Sequence, residues 1–214
     1  MRVAIAGGHG QIALIIERLL SESGHEAVGI IRNPEHAADL LVAGGMPLVL
    51  DLEDTDVDTL ATDLDGVDAV VFAAGGGPSS GAARKLTVDR DAAVLLADAA
   101  ERRGISRYVM ISAMAADDFE PDSEDVFQIY LKAKSEADAD LRGRDLDWTV
   151  IRPGGLTNDP PIGTVQVAES TGHGTIPRAD VAAVVVEVLV NRRAVRQQFE
   201  LISGDVAISE AMPD

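Results

Sequence analysis

The chain predicts a doubly wound α/β fold, a parallel sheet covered by helices on both faces, and three observations carry that expectation. Strand and helix patterns alternate along most of the 214 residues. The strand segments are continuous apolar runs rather than alternating ones, as in strands buried on both sides. Glycine or small-residue breaks follow strands one, four, five and six, all at the carboxyl edge of such a sheet, where ligands bind. No linker, low-complexity segment or internal repeat intervenes, so the expectation is one domain over residues 1–214.

Taken in order, the first strand, Val3 to Ala6, stops at Gly7-Gly8-His9-Gly10 and a helical pattern begins at Gln11. Ile12, Ile15, Ile16, Leu19 and Leu20 fall at helical spacing up to Ser23, and Gly24 supplies the stop. Ala27 to Ile31 reads as strand two. Pro34 suits the first turn of a helix running to Gly44-Gly45. Pro47 to Leu50 is strand three, and a short acidic helix spans about Val57 to Leu64. Strand four is Ala69 to Ala73, followed by a glycine-rich loop through Gly81. The longest helix runs from about Ala83 to Arg103, closed by Gly104. Strand five is Arg107 to Ile111, and an acidic loop, Asp117 to Asp125, precedes a helix from Val126 to Arg142. Trp148 to Ile151 is strand six, broken by Arg152-Pro153-Gly154-Gly155. A proline-rich loop, a short strand near Thr164 to Val167, a helix over 180–191 and a strand from Phe199 to Ile202 complete the pattern.

The totals narrow the function. Thirty-six acidic residues against 18 basic ones leave a formal charge of −18, which repels nucleic-acid backbones and anionic membranes. There is no cysteine, so disulfides, thiol catalysis and thiolate metal sites are excluded, and no metal site is expected. No apolar run reaches the roughly 18 residues that span a bilayer. The sequence shows no charged-apolar-small leader, and a cytoplasmic protein is the expectation. Of the basic residues only Lys85, Lys132 and Lys134 are lysines.

A strand that breaks on glycines and turns at once into a helix is a phosphate cradle: glycine admits positive φ and close backbone approach, and the helix start offers free N–H groups. Gly7-x-x-Gly10-x-x-Ala13 is a variant of the dinucleotide fingerprint, with Ala as the third small residue. Chains specific for NAD place an acid at the end of strand two, whereas here Ile31 is followed by Arg32. A guanidinium there matches a 2′-phosphate, so NADP is favoured over NAD. Asp51-Leu52 after strand three reads either as an adenine contact or, for Asp51, as a helix cap. Tyr130 and Lys134 stand four apart on one helix face, a spacing in which an ammonium lowers a phenol's pKa and makes it an acid or base for a carbonyl–alcohol pair. Ser112, ending strand five, is placed to bond the same substrate oxygen, and Lys134 to hold the nicotinamide ribose.

These segments resemble the short-chain dehydrogenase/reductase superfamily, specifically its atypical single-domain NAD(P)-binding members similar to epimerase/dehydratase-like and nitrogen-regulator-like proteins. The resemblance spans essentially the whole chain. It rests on Gly7-Gly8-His9-Gly10, Arg32, Asp51-Leu52, Ala73-Ala74-Gly75, Thr87-Val88-Asp89, the segment Arg107 to Ser112, Tyr130 to Lys134, Ile151 to Leu156 and Ile176 to Ala182. It implies a Rossmann fold in which Gly7, Gly10, Gln11 and Ile12 face the pyrophosphate and Arg32 the 2′-phosphate. Asp51 and Leu52 would sit at adenine, and Ala73, Ala74 and Gly75 along the ribose. Ser112, Tyr130 and Lys134 would form the catalytic set, with Pro153 and Gly154 beside the nicotinamide. His9 replaces the family's usual Thr, and Ala113 its usual second Ser or Thr. Only about sixty residues follow strand six, too few for the substrate lobe of the extended enzymes, which argues against a bulky nucleotide-sugar substrate.

The expectation is an NADP-binding oxidoreductase acting on a small carbonyl, alcohol or quinone-like molecule. Two alternatives are a non-catalytic NADP redox sensor working through a protein partner, and an epimerase or dehydratase with tightly held cofactor. Doubly wound reductases often dimerise through long helices, so a homodimer is a further expectation.

Overall fold

The computed structural model describes residues 1–77 and 80–213. Pro78 and Ser79, in the predicted glycine-rich loop, lie outside the described residues. The strands are β1 (Arg2–Ala6), β2 (Glu26–Ile31), β3 (Gly45–Val49), β4 (Ala69–Phe72), β5 (Arg107–Ile111), β6 (Asp147–Pro153), β7 (Gly155–Thr157), β8 (Thr164–Ala168), β9 (Thr175–Pro177), β10 (Gln197–Ser203) and β11 (Val206–Ala207). The helices are α1 (Gln11–Glu22), α2 (Ala37–Ala43), α3 (Val57–Asp63), α4 (Ala82–Arg84), α5 (Ala92–Arg103), α6 (Val126–Arg142), α7 (Arg178–Val190) and α8 (Ile208–Ala211). A 3₁₀ turn over Pro34–His36 precedes α2.

Nine strands form one sheet in the order β11-β8-β10-β6-β5-β4-β1-β2-β3. The seven from β10 to β3 are parallel, and β8 and β11 add an antiparallel edge. Period-two alternation sends successive side chains to opposite faces. Val3 and Ile5 of β1, Val71 of β4 and Val109 of β5 pack with α1 and α7 on one face. Their neighbours Ala4, Ala6, Val70, Phe72, Tyr108 and Met110 pack with α3, α5 and α6 on the other. Both faces are therefore buried, which is why these strands read as unbroken apolar runs. Strand order reverses between β1 and β4, opening a crevice at their carboxyl ends.

The architecture is the doubly wound sheet that the sequence predicts, with four local differences. β3 starts two residues early, at Gly45; Pro47 is tolerated there because β3 is an edge strand. β6 does not break at Arg152 but runs to Pro153, pairing beyond the end of β5 with β10. β7, at the break leading into the expected proline-rich loop, and β9, in the unassigned stretch after the strand near Thr164, form a separate two-stranded parallel sheet. Gly154 makes this possible: a Cβ there would lie 2.4 Å from the Gly174 carbonyl oxygen. The long helix is continuous from α4 to α5 only by way of a π-helical stretch, Lys85–Asp91. A π turn carries an extra residue per turn, so a 3.6-residue pattern does not anticipate which side chains it turns inward. Here Lys85, Val88 and Asp89 are buried.

Candidate active site

The crevice contains a cleft of about 340 Å³ walled by the loops after β1 to β4 and by the π-helical stretch. Gly7, Gly10, Arg32, Asp51, Leu52, Ala73, Ala74 and Gly75 all line it. Gly7 has φ +79°, and a Cβ on it would sit 2.7 Å from the Ala74 Cα, so only glycine lets the β1 and β4 loops close the switch point. Gly10 caps α1 with no side-chain hydrogen bond, and α1 carries no acid in its first turn. Gln11 and Ile12 form that turn, where amides have no acceptor within the helix. The His9 ring stacks on His36 at 3.7 Å, and its Nε2 lies 2.8 Å from Asp39 Oδ2.

At the far end of the cleft an acid does stand against Arg32, but it comes from the loop after β3 rather than from β2. The Glu53 carboxylate accepts hydrogen bonds from Arg32 Nη1 at 3.2 Å and Thr87 Oγ1 at 2.6 Å, and pairs with Arg84 Nη2 at 3.0 Å. Two guanidiniums thus face one carboxylate. Asp51 accepts the Glu53 amide at 3.0 Å, so it holds the turn that presents Glu53. Ile30, Leu50, Leu52 and Val88 supply apolar walls suited to a flat aromatic ring.

At the Gly75 end stand residues that do not line the cleft itself. Lys134 is buried, with Nζ 3.4 Å from the carbonyl oxygens of Ala74 and Ile111 and 3.4 Å from Asp89 Oδ1. It therefore ties α6 to the carboxyl ends of β4 and β5. Asp89 is fully buried and also accepts the Gly76 amide at 3.0 Å, fixing the loop after β4. The Tyr130 ring lies 6.0 Å from Lys134 Nζ and 5.1 Å from Lys85 Nζ. The spacing of Tyr130 and Lys134 predicts a lowered phenol pKa, but the balance goes the other way. Burial pushes the Tyr130 hydroxyl up, and the pull of Lys134 only partly opposes it, with Asp89 and Asp138 adding to the rise.

Ser112 is buried, and its hydroxyl donates to Asp138 Oδ2 at 2.7 Å. Asp138 in turn accepts from Arg152 Nε at 2.9 Å, and Arg152 forks onto Asp117 at 2.7 and 3.0 Å. The proton of Ser112 is thus committed within the protein, leaving only its lone pairs for any other donor. Burial pushes the Asp138 carboxyl up against the opposing effect of Arg152, while hydrogen bonding from Arg152 holds Asp117 down at about 2. Asp117, at the start of the predicted acidic loop, is anchored, and Asp125 at its end caps α6 through the Phe127 and Gln128 amides. Pro153 and Gly154 are buried at the end of β6. The polar residues at this site to which the sequence assigns no role include Glu53, Arg84, Lys85, Asp89 and Asp138; Thr87-Val88-Asp89 is the one signal that points near the first four. Among the described residues no group of three or more His, Asp or Glu side chains is arranged to hold a metal, and no helix is long and apolar enough to cross a membrane.

A reversed strand order, a glycine cradle and a helix N-terminus on one crevice define a dinucleotide-binding Rossmann protein. The chain belongs to the NAD(P)H-binding family, whose model matches residues 7–192. It is 36% identical over 99% of both chains to a Bacillus subtilis protein named uncharacterized sugar epimerase YhfK. Its structure resembles a Bacillus halodurans protein provisionally described as an NAD-dependent epimerase/dehydratase (TM-score 0.88, 33% identity, 98% of this chain and 97% of that one). It also resembles the oxidoreductase ylbE of Lactococcus lactis (TM-score 0.85, 25% identity, 99% and 94%).

Proposed function

We propose that the chain is an NADP-dependent oxidoreductase that moves a hydride between nicotinamide and a small carbonyl, alcohol or quinone-like acceptor. The observation that carries this reading is the Tyr130–Lys134 pair, set against the Ala74 carbonyl where the phosphate-to-adenosine cleft ends. The residues fit a dinucleotide: the Gly7 approach and the uncapped first turn of α1 offer N–H donors to a pyrophosphate without any intruding side chain. The excess of Arg32 and Arg84 over Glu53 favours a further phosphate at the adenosine end. When bound, the nicotinamide supplies or accepts the hydride.

Tyr130 is the proton donor in this reading. Because burial raises its pKa, the phenol stays protonated at neutral pH and is suited to give its proton to the acceptor oxygen in the reductive direction. Lys134 favours the phenolate left behind and steadies the neighbouring ribose. Ser112, its own proton held by Asp138, orients rather than donates.

The oxidoreductase description of the Lactococcus relative supports this reading. The epimerase names of the two Bacillus proteins support a second one, in which the cofactor would stay bound and end each cycle in the oxidation state in which it began. Following nicotinamide absorbance with an acceptor panel separates them. Net NADPH consumption that Tyr130→Phe abolishes is the expected result. Turnover intact in Tyr130→Phe rejects the proton-donor role, and a cofactor that resists dialysis and is never consumed favours the epimerase.

A further inference from the structure

Lys85 is a buried cation that the hydride chemistry above leaves without a task. It is 7% exposed, and it enters the site because the π-helical stretch turns it inward. Its ammonium donates to the Gly77 carbonyl at 2.8 Å and lies 5.1 Å from the centre of the Tyr130 ring. Among the described residues no carboxylate comes within 4.0 Å of it, although the chain holds twice as many acids as bases. The nearest buried acid on its own helix, Asp89, is engaged by Lys134 and the Gly76 amide. A carbonyl and a ring face offset only part of what an ammonium loses on leaving water, and buried charges are normally paired. Among the described residues, one of its three N–H groups has a conventional acceptor.

We propose that Lys85 is the anchor for an anionic group on the acceptor, so that the preferred substrates are carbonyl compounds bearing a carboxylate close to the carbon that receives the hydride. The inference rests on the oxidoreductase reading and deepens it by naming a substrate class. With Lys85 and Lys134 both flanking Tyr130, the carboxylate of such a molecule pairs with Lys85 while its carbonyl oxygen takes the Tyr130 proton. A neutral carbonyl compound forgoes the first contact. Charge-assisted pairing in a site shielded from water favours the acid over its neutral analogue by about tenfold or more.

The test uses matched acceptors, phenylglyoxylate and 2-formylbenzoate, each against its methyl ester, with NADPH. The wild-type protein is expected to prefer the acid in kcat/KM for at least one pair, and Lys85→Met to bring that ratio close to one. An equal ratio in the two proteins, or a preference for every ester, overturns the proposal. Binding of the same acids and esters to the NADPH complex, followed by calorimetry, gives a readout independent of turnover. If NADPH binds and nothing is reduced, the oxidoreductase reading fails, whereas a Lys85-dependent preference for the acids in calorimetry still upholds the anion anchor. Equal binding of acids and esters rejects the anchor. Thermal unfolding of Lys85→Met shows whether the variant is folded; if it is not, Lys85→Gln takes its place, with the same outcomes.

Discussion

The sheet buries cations at both of its edges, and they are served differently. At the amino edge, Arg107 opens β5 and is 4% exposed. Its guanidinium donates to the Asp147 carbonyl at 2.6 Å, Thr149 Oγ1 at 2.8 Å, the Val188 carbonyl at 2.9 Å and the Arg193 carbonyl at 3.1 Å. Burial lowers its pKa to about 10, still charged at neutral pH. At the carboxyl edge, among the described residues, Lys134 has three polar contacts, each at 3.4 Å, and Lys85 has one bond to a carbonyl. A buried cation met by four fixed acceptors belongs to the fold. One with fewer fixed acceptors than N–H groups, as Lys85 has among the described residues, keeps donors for an arriving group, as proposed above.

Substitution at each edge separates the two roles. Arg107→Leu strands four acceptors and is expected to cost about 3–5 kcal/mol in urea unfolding; a loss below about 1 kcal/mol contradicts the structural reading. Tyr130→Phe is expected to lower kcat by about 10²- to 10⁴-fold while moving unfolding stability by less than about 1 kcal/mol. A pH profile sharpens this. With the Tyr130 pKa raised, the reductive rate holds through neutral pH and falls only on the alkaline side, and a fall below neutrality from this group contradicts the assignment.

Glu17 is a third kind of buried charge. It lies on α1 behind the phosphate loop, fully buried, with neither carboxyl oxygen hydrogen-bonded, in space that Cβ atoms on Gly29 and Gly45 would fill. Burial pushes its carboxyl up to about 8 from 4.5. The folded state therefore holds a proton that the unfolded chain releases. Its contribution to stability is complete below pH 4.5 and declines as pH rises toward 8, by at most about 1.4 kcal/mol per unit. Glu17→Gln should flatten that slope in unfolding curves taken across the interval, and an unchanged slope refutes it.

Smaller still is the effect expected at Asp117. Arg152 holds it at about 2, so its carboxylate favours the folded state above pH 3.8, and that contribution disappears as pH falls toward 2. Asp117→Asn should lessen acid sensitivity slightly in unfolding titrations at low pH, the exposure of the group keeping the change small.

The same contrast explains what the sequence reveals. Residues on strand ends are legible because an apolar run stopping at glycine fixes both place and direction; Gly7, Arg32 and Ala73 to Gly75 were expected together and line one cleft. Glu53 was not, since it reaches Arg32 from a loop whose course no periodicity encodes. Lys85 and Asp89 depend on a π turn, invisible to a pattern counted in steps of 3.6. The i, i+4 spacing of Tyr130 and Lys134 predicts their proximity but not the burial that reverses the expected pKa shift. β7 and β9 are three residues each, too short for an alternation to declare itself, and Gly154 shows its purpose only once Gly174 lies against it.

Arg32 and Arg84 outnumber Glu53 at the end of the cleft proposed to take the adenosine. Equilibrium titration of the protein with NADPH and NADH in parallel, repeated on Arg32→Gln, tests that proposal. The prediction is at least about tenfold tighter binding of NADPH, with most of that preference lost in the variant. Equal affinity for the two cofactors, or tighter binding of NADH, would contradict it.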